Sequence, residues 1–177
     1  MIERMQTTDS LGLAINYSFA DTPYGKVIIA TTQKGIAHIS FIKDETAGLK
    51  ELRNSFPKAV VTKKENALQK KAIKQLRAKS GIDLAIPFHL KGSDFQIEVW
   101  NALRKINHGE TATYADIARY IKNERAVRAV GSAIGKNPIA ILIPCHRVIR
   151  TDGSFGEYRW GADRKAALIE SEAFRIA

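Results

Sequence analysis

Two hydrophobic rhythms divide this chain. From Tyr24 to Ile42, YGKVIIATTQKGIAHISFI holds two β-rich runs separated by Gln33-Lys34-Gly35, the pattern of a hairpin. Asp44 then opens a helical stretch in which Leu49, Leu52 and Phe56 recur at helical spacing until Pro57 ends it. Ala59 to Thr62 predicts a strand. Asn66 to Lys79 predicts a helix with Leu68, Ala72, Ile73 and Leu76 on one face and Lys70, Lys71, Lys74, Arg77 and Lys79 on the solvated one, with Gly81 as its stop. Asp83 to Lys91, interrupted by Pro87, reads as extended. These elements describe a small α/β domain over residues 1–91.

From residue 92 the rhythm is helical. Ser93 and Gln96 have the spacing of a capping box, ahead of an apolar stripe of Phe95, Val99, Trp100 and Leu103. Thr113 and Asp116 repeat that spacing before YADIARYI, Tyr114 to Ile121. After a short break, ERAVRAVGSAIG predicts a third helix from about Glu124 to Gly135. Two short helices joined by a tight turn, the second bearing Arg125 and Arg128, fit either a helix-turn-helix or an ordinary helical hairpin. The aliphatic run Ile139 to Ile143 reads as a buried strand, Thr151 to Tyr158 as a glycine-rich turn, and Asp163 to Phe174 as a last helix. Residues 92–177 thus form a second, mainly helical domain.

Composition narrows the class. The chain has 177 residues, 45% of them hydrophobic, enough for a real core in one or two domains. The N-terminus lacks the pattern of a secretion signal, and the longest aliphatic run is far too short to span a bilayer. No membrane association and a cytoplasmic location are therefore expected, where a free thiol survives. A net charge of +10 permits a polyanionic partner without establishing one.

Candidate chemistry concentrates in ILIPCHRVIR, which holds the one cysteine. A lone cysteine among aliphatics is usually a packing residue. Yet thiolate is the reactive form, and His146, Arg147 and Arg150 are neighbours of the kind that favour it. In an extended chain Cys145 and His146 would point to opposite faces, so an imidazole base would act on the thiol more easily through a water than by contact. His38, His89 and His108 have no cysteine companion and read as structural or solvent-facing. One cysteine also rules out an intramolecular disulfide or a thiolate-rich zinc site.

The segment Pro144-Cys145-His146-Arg147-Val148 resembles the PCHRV signature of the O6-alkylguanine-DNA alkyltransferases, the methylated-DNA–protein-cysteine methyltransferases. The likeness runs through FQIEVWNALRKINHGETATYADIA, RAVRAVGSAIGKNPIAILIPCHRVIRTDGSFGEYRWG and RKAALIESE, and more loosely through TPYGKVIIATTQKGIAHISF. It is nearest the bacterial branch. The resemblance implies an α+β protein of two domains: a ribonuclease-H-like α/β domain, then a helical, winged-helix-like domain with a helix-turn-helix. It implies irreversible, single-turnover transfer of an alkyl group from O6 of guanine in DNA to Cys145. O4 of thymine is a second possible source of the group.

By the same resemblance His146 is the base, acting through a water, and Glu172 orients it, with Glu170 the nearby competitor. Arg128 takes the place of a base flipped out through the minor groove, Tyr114 crowds the adjoining phosphate and donates to the guanine, and Arg125 and Lys136 contact DNA. Asn137 ties the recognition helix to the active-site strand. The Val148 carbonyl, Tyr158 and Arg159 line the base pocket, and an indole at Trp160 would narrow its mouth. The expected partner is double-stranded DNA containing O6-alkylguanine, bound by a monomer. No cofactor is expected, and no metal, since the first-domain cysteines that hold zinc in some members are missing. A lesion-binding regulator and a cysteine hydrolase are the competing readings. Relatives that only bind replace the cysteine, and hydrolases bring thiol and base together from separate segments.

Overall fold

The computed structural model describes residues 1–6, 12–78 and 85–173. Its described residues fall into two compact units, one drawn from Met1–Ala78 and Asp83–Gly92 and the other beginning at Ser93. The expected stop at Gly81 and the last residue of the final helix, Phe174, lie outside the described residues.

The elements of the first unit are β1 (Ile2–Arg4), β2 (Ala14–Thr22), β3 (Gly25–Thr31), β4 (Ile36–Phe41), α1 (Glu45–Ser55), β5 (Val60–Lys63), α2 (Ala67–Arg77) and β6 (Phe88–Leu90). Its strands form a six-stranded sheet in the order β1-β6-β4-β3-β2-β5. The expected hairpin is β3 and β4, paired antiparallel with Ile29 opposite Ile39. Every side chain from Val27 to Thr31 is buried, so both faces of this central strand are covered. One cluster joins Ile28 and Ala30 to Ile15 and Tyr17 of β2 and Leu52 of α1. Burying aliphatic side chains of this size contributes about 1.5–3 kcal/mol each. The sequence reading passed over β2, although Ile15, Tyr17 and Phe19 alternate along it and its register runs from Asn16 opposite Thr31 to Thr22 opposite Gly25. Gly35 is required where β4 begins: a Cβ there would stand 2.8 Å from the Pro87 carbonyl oxygen, which the Ile36 amide approaches at 3.0 Å.

Both helices are capped, α1 by the Asp44 that was expected to open it and α2 by Asn66, which the sequence placed inside the helix. Asp44 accepts from the Ala47 amide, and Asn66 and Gln69 form a reciprocal box at the head of α2. Gln69 is fully buried and bonds across to the Asn16 carbonyl at 2.8 Å. The histidines His38 and His89 are core residues, 2% and 1% exposed; His89 pairs with Thr32 at 3.0 Å.

The second unit contains α3 (Asp94–Leu103), β7 (Ala112–Thr113), α4 (Tyr114–Tyr120), α5 (Val127–Gly135), β8 (Val148–Ile149) and α6 (Ala162–Ala173). Capping boxes at Ser93 and Thr113 start α3 and α4 as the sequence predicts. Trp100 of α3 donates its indole N–H to the Ala133 carbonyl at 2.9 Å, fixing α3 to α5 deep in the core. The turn from α4 to α5 passes through Lys122 in the left-handed region, φ 56°, and one 3-10 turn over Glu124–Ala126. The predicted third helix thus begins as a 3-10 turn and becomes α-helical at Val127. β7 and β8 pair in parallel, Ala112 with Val148.

One expectation is overturned. Ile139 to Ile143 do not form a strand; the segment turns repeatedly, with Ile141 at φ 63°. A β-branched residue pays on the order of 1–3 kcal/mol for that conformation. All five side chains are nevertheless buried. Buried aliphatics satisfied the periodicity of a strand, but among the described residues no partner strand extends the single bridge at Ile139 into a ladder; Asn137 donates to the Ile139 and Ile143 carbonyls, and the Leu142 amide to that of Ala140.

Candidate active site and nucleic-acid interface

After Pro144 the chain makes a 3-10 turn, Cys145–Arg147, which feeds β8. The turn directs Cys145 to Asn137 and sends both His146 and Arg147 to Glu172. The Cys145 sulfur accepts from Asn137 Nδ2 at 3.1 Å, and that same amide donates to the carbonyls of Ile139 and Ile143, each at 2.9 Å. Asn137 Oδ1 accepts from the Ile139 amide at 3.0 Å. This residue follows α5 within two positions, so it couples the end of that helix directly to the thiol.

His146 is fully buried, and its Nε2 stands 2.9 Å from Glu172 Oε1 of α6. Burial lowers its basicity, only partly opposed by the hydrogen bond and charge of Glu172, so the ring is neutral at rest. With an ionised Glu172 at Nε2, that nitrogen carries the proton and Nδ1 keeps a lone pair. Nδ1 has no hydrogen-bond partner among the described residues.

Arg147 is not a neighbour of the thiol in the sense expected. Its guanidinium turns to Glu172, Nε to Oε2 at 2.7 Å and Nη2 to Oε1 at 2.9 Å, and Nη1 donates to the Ile106 carbonyl at 2.7 Å. Burial acts to raise the Glu172 carboxyl, but the hydrogen bonds and charges of His146 and Arg147 outweigh it and hold it at about 2. Glu170, the competitor, is exposed.

The cations that act on the thiol are Lys165 and Arg159. Lys165 is 1% exposed, donates to the Val148 carbonyl at 2.6 Å and also to the Phe155 carbonyl. Burial drops its ammonium to about 8. Sequence reasoning passed over it as a site residue, although Lys165, Leu168 and Glu172 lie on one buried face of α6, where a charged residue signals a partner inside. Despite these cations and the Asn137 hydrogen bond, burial pushes the Cys145 thiol up to about 11. The resting nucleophile is a thiol.

Cys145 opens onto a cleft of about 480 Å³ whose other walls include Tyr114, Gly131, Arg150, Tyr158 and Arg159. Burial keeps the Tyr158 hydroxyl protonated well above its ordinary range, and that oxygen has no hydrogen-bond partner among the described residues. Tyr114 is likewise raised by burial. Two expected lining groups stand elsewhere. Val148 is fully buried with its carbonyl bonded to Lys165. Trp160 meets the wall through Tyr158, edge to face at 5.3 Å, and through the Arg159 guanidinium, 5.5 Å from its ring. Arg159 also donates to the Asn137 carbonyl at 3.3 Å.

The basic candidates lie on or beside α5. Arg125, Arg128 and Lys136 are exposed, and half-buried Tyr114 opens α4. The two helices meet at Gly131, where a Cβ would make an ordinary 3.7 Å contact with the Tyr114 ring. Among the described residues no three His, Cys, Asp or Glu side chains gather as a metal site, and no helix is long and apolar enough to cross a membrane.

The chain is similar to known proteins in both sequence and fold. Residues 94–174 match the family model "6-O-methylguanine DNA methyltransferase, DNA binding domain", and residues 15–79 match its "ribonuclease-like domain". The chain is 39% identical over 163 residues to the bifunctional transcriptional activator/DNA repair enzyme Ada of Escherichia coli; the match covers 91% of this chain and 46% of that protein, so the chain spans about half the length of this relative. It is 37% identical over 159 residues to the methylated-DNA–protein-cysteine methyltransferase of Methanosarcina acetivorans, covering 88% of this chain and 97% of the relative. Among solved structures, the Mycobacterium tuberculosis O6-methylguanine methyltransferase superposes with TM-score 0.77 at 34% identity, covering 91% of this chain and 94% of that one. Mycobacterium tuberculosis OGT in complex with DNA superposes with TM-score 0.74 at 32% identity, with 92% and 94% covered.

Proposed function

Because the chain belongs to the methylated-DNA–protein-cysteine methyltransferase family, we propose that it repairs duplex DNA by moving the methyl group from O6 of guanine to its own Cys145. The observation that carries this reading is the thiol at the wall of a cleft, beside a neutral His146 whose Nε2 is taken by Glu172 and whose Nδ1 is left as a base.

The lesion base is extruded into the cleft, with Arg128 filling the gap in the stack and Arg125 and Lys136 on phosphates. The thiol proton passes through a bridging water to His146 Nδ1, and Glu172 stabilises the imidazolium that results. Sulfur then attacks the methyl carbon: the S–C bond forms, the C–O6 bond breaks and its electron pair stays with guanine. A proton returns to the departing base. The Tyr158 hydroxyl, held protonated in the wall, donates towards O6, and the Tyr114 hydroxyl donates to the ring. Desolvation is useful here. A thiol at about 11 is inert to solvent electrophiles and becomes a strong nucleophile once a base and a bound electrophile meet it. The thioether is not reopened, so each molecule, acting as a monomer in the cytoplasm, serves once.

The test is intact mass after incubation with a duplex containing one O6-methylguanine. One methyl group in place of one hydrogen, on the Cys145 peptide, supports repair. Binding with unchanged mass would support a regulator, and turnover of an ester a hydrolase.

A further inference from the structure

Beside the base cleft lies a second recess of about 500 Å³, lined by Tyr114, Ala115, Val127, Arg150, Thr151 and Asp152. Tyr114 and Arg150 belong to the walls of both recesses, so they form the partition between them. The two side chains converge over Gly156, the Tyr114 hydroxyl 3.3 Å and the Arg150 Nε 3.5 Å from where a Cβ of that residue would stand. Gly156 has φ 65°, so a side chain there would be strained as well as crowded.

Most arginines around this site are committed to protein partners. Arg119 pairs with Asp116 at 2.9 Å, Arg147 with Glu172, Arg159 with the Asn137 carbonyl and Arg164 with the Trp160 carbonyl. Arg150 differs. Its backbone is fixed, the amide donating to Ser154 at 2.9 Å and the carbonyl accepting from Gly153 at 3.0 Å. Its guanidinium is exposed and makes no hydrogen bond or ion pair among the described residues. Asp152, the carboxylate closest in sequence, is turned onto the Ser154 amide and hydroxyl at 2.9 and 2.7 Å. A tight turn therefore presents a guanidinium with no hydrogen-bonded partner among the described residues, its charge felt by Asp152 and Tyr114, on a wall shared by two recesses.

We propose that Arg150 binds an internucleotide phosphate flanking the lesion nucleotide, with the base in the Cys145 cleft and the neighbouring nucleotide over the second recess. This rests on the repair reading above. A strand whose base enters one recess must carry its phosphodiester link across the partition to reach the other, and a guanidinium there can meet two phosphate oxygens at once.

The test compares wild type, Arg150→Gln and Arg150→Lys on three forms of the substrate: an ordinary duplex with one O6-methylguanine, duplexes with a neutral methylphosphonate on one side or the other of the lesion nucleotide, and free O6-methylguanine base. On the ordinary duplex at limiting concentration, Arg150→Gln slows methyl transfer about ten-fold, the scale of one charged hydrogen-bonding contact, and Arg150→Lys lies between. The log–log salt slope of binding falls by about 0.9, one phosphate contact. One of the two methylphosphonates erases the difference between wild type and Arg150→Gln, and the free base shows none. The proposal is overturned if Arg150→Gln matches wild type on the ordinary duplex, if its loss survives both methylphosphonates, or if the free base shows the same loss, which would place the guanidinium on the base. A wild type that transfers no methyl group overturns the repair reading itself. Because the side chain is exposed, thermal unfolding of Arg150→Gln should match wild type, separating a binding loss from a folding loss.

Discussion

Arg147 grips Glu172 at two points, Nε to Oε2 at 2.7 Å and Nη2 to Oε1 at 2.9 Å, and the oxygen it shares is the one that meets His146. The residue next to the base therefore positions the base through a carboxylate 25 residues away. Breaking such a buried pair leaves a charge without its partner and costs about 3–5 kcal/mol. Arg147→Met should lose stability on that scale by urea unfolding, with Arg147→Lys recovering part of it.

The same pair makes stability depend on pH. The Glu172 carboxyl is held at about 2, below its ordinary 4.5. Its contribution is complete above the ordinary value and is lost as pH falls towards 2. Urea midpoints measured from pH 6 down to 2.5 should decline for wild type. Glu172→Gln starts lower and should decline less; parallel curves would contradict the assignment.

At Cys145 the sign is reversed, because burial raises the thiol from 9.0 to about 11. Stability gained by keeping it protonated is present below pH 9 and lost as pH rises towards 11. Alkylation of the DNA-free protein by iodoacetamide should be slow at pH 7 and climb about ten-fold per pH unit, following the thiolate fraction. An inflection near pH 7 would show a thiolate at rest. Cys145→Ala should abolish methyl transfer and keep DNA binding.

Asn137→Ala removes the donor that meets two buried carbonyls and the thiol. Each buried acceptor left bare costs about 1–3 kcal/mol. The variant should unfold at lower urea, and any folded fraction should transfer methyl groups more slowly, since the turn that aims Cys145 depends on these bonds.

Tyr114→Ala and Arg128→Ala should slow transfer from duplex DNA far more than from free O6-methylguanine, because only the duplex must be opened. Equal losses on both substrates would assign these residues to the cleft or the fold.

Trp160 contacts the cleft wall through the Tyr158 ring rather than lining the cleft. Trp160→Gly should therefore lower thermal stability, with about 0.5–1.5 kcal/mol from the lost edge-to-face pair. Sensitivity to free O6-benzylguanine should not rise; a rise without loss of stability would make the indole a gate.

What the sequence settles by itself is local. The caps at Asp44, Asn66, Ser93 and Thr113, the hairpin of β3 and β4 and the apolar stripes follow from neighbours within a few positions, so their patterns are legible. The PCHRV segment likewise exposes Cys145, His146 and, through its family likeness, Glu172. Tertiary structure decided the rest. Whether Ile139 to Ile143 became a strand depended on a partner strand, and among the described residues only a single bridge at Ile139 forms. Asn137 takes up the carbonyls instead, and Ile141 is held in the left-handed region. Which cation faces the thiol could not be read from adjacency either: Arg147 is two positions away in sequence yet turns to Glu172, while Lys165, 20 positions on, points inward from α6. Hydrogen bonds and desolvation are set by distance in space, and a 3-10 turn separates neighbours in sequence as readily as a packed helix brings distant residues together.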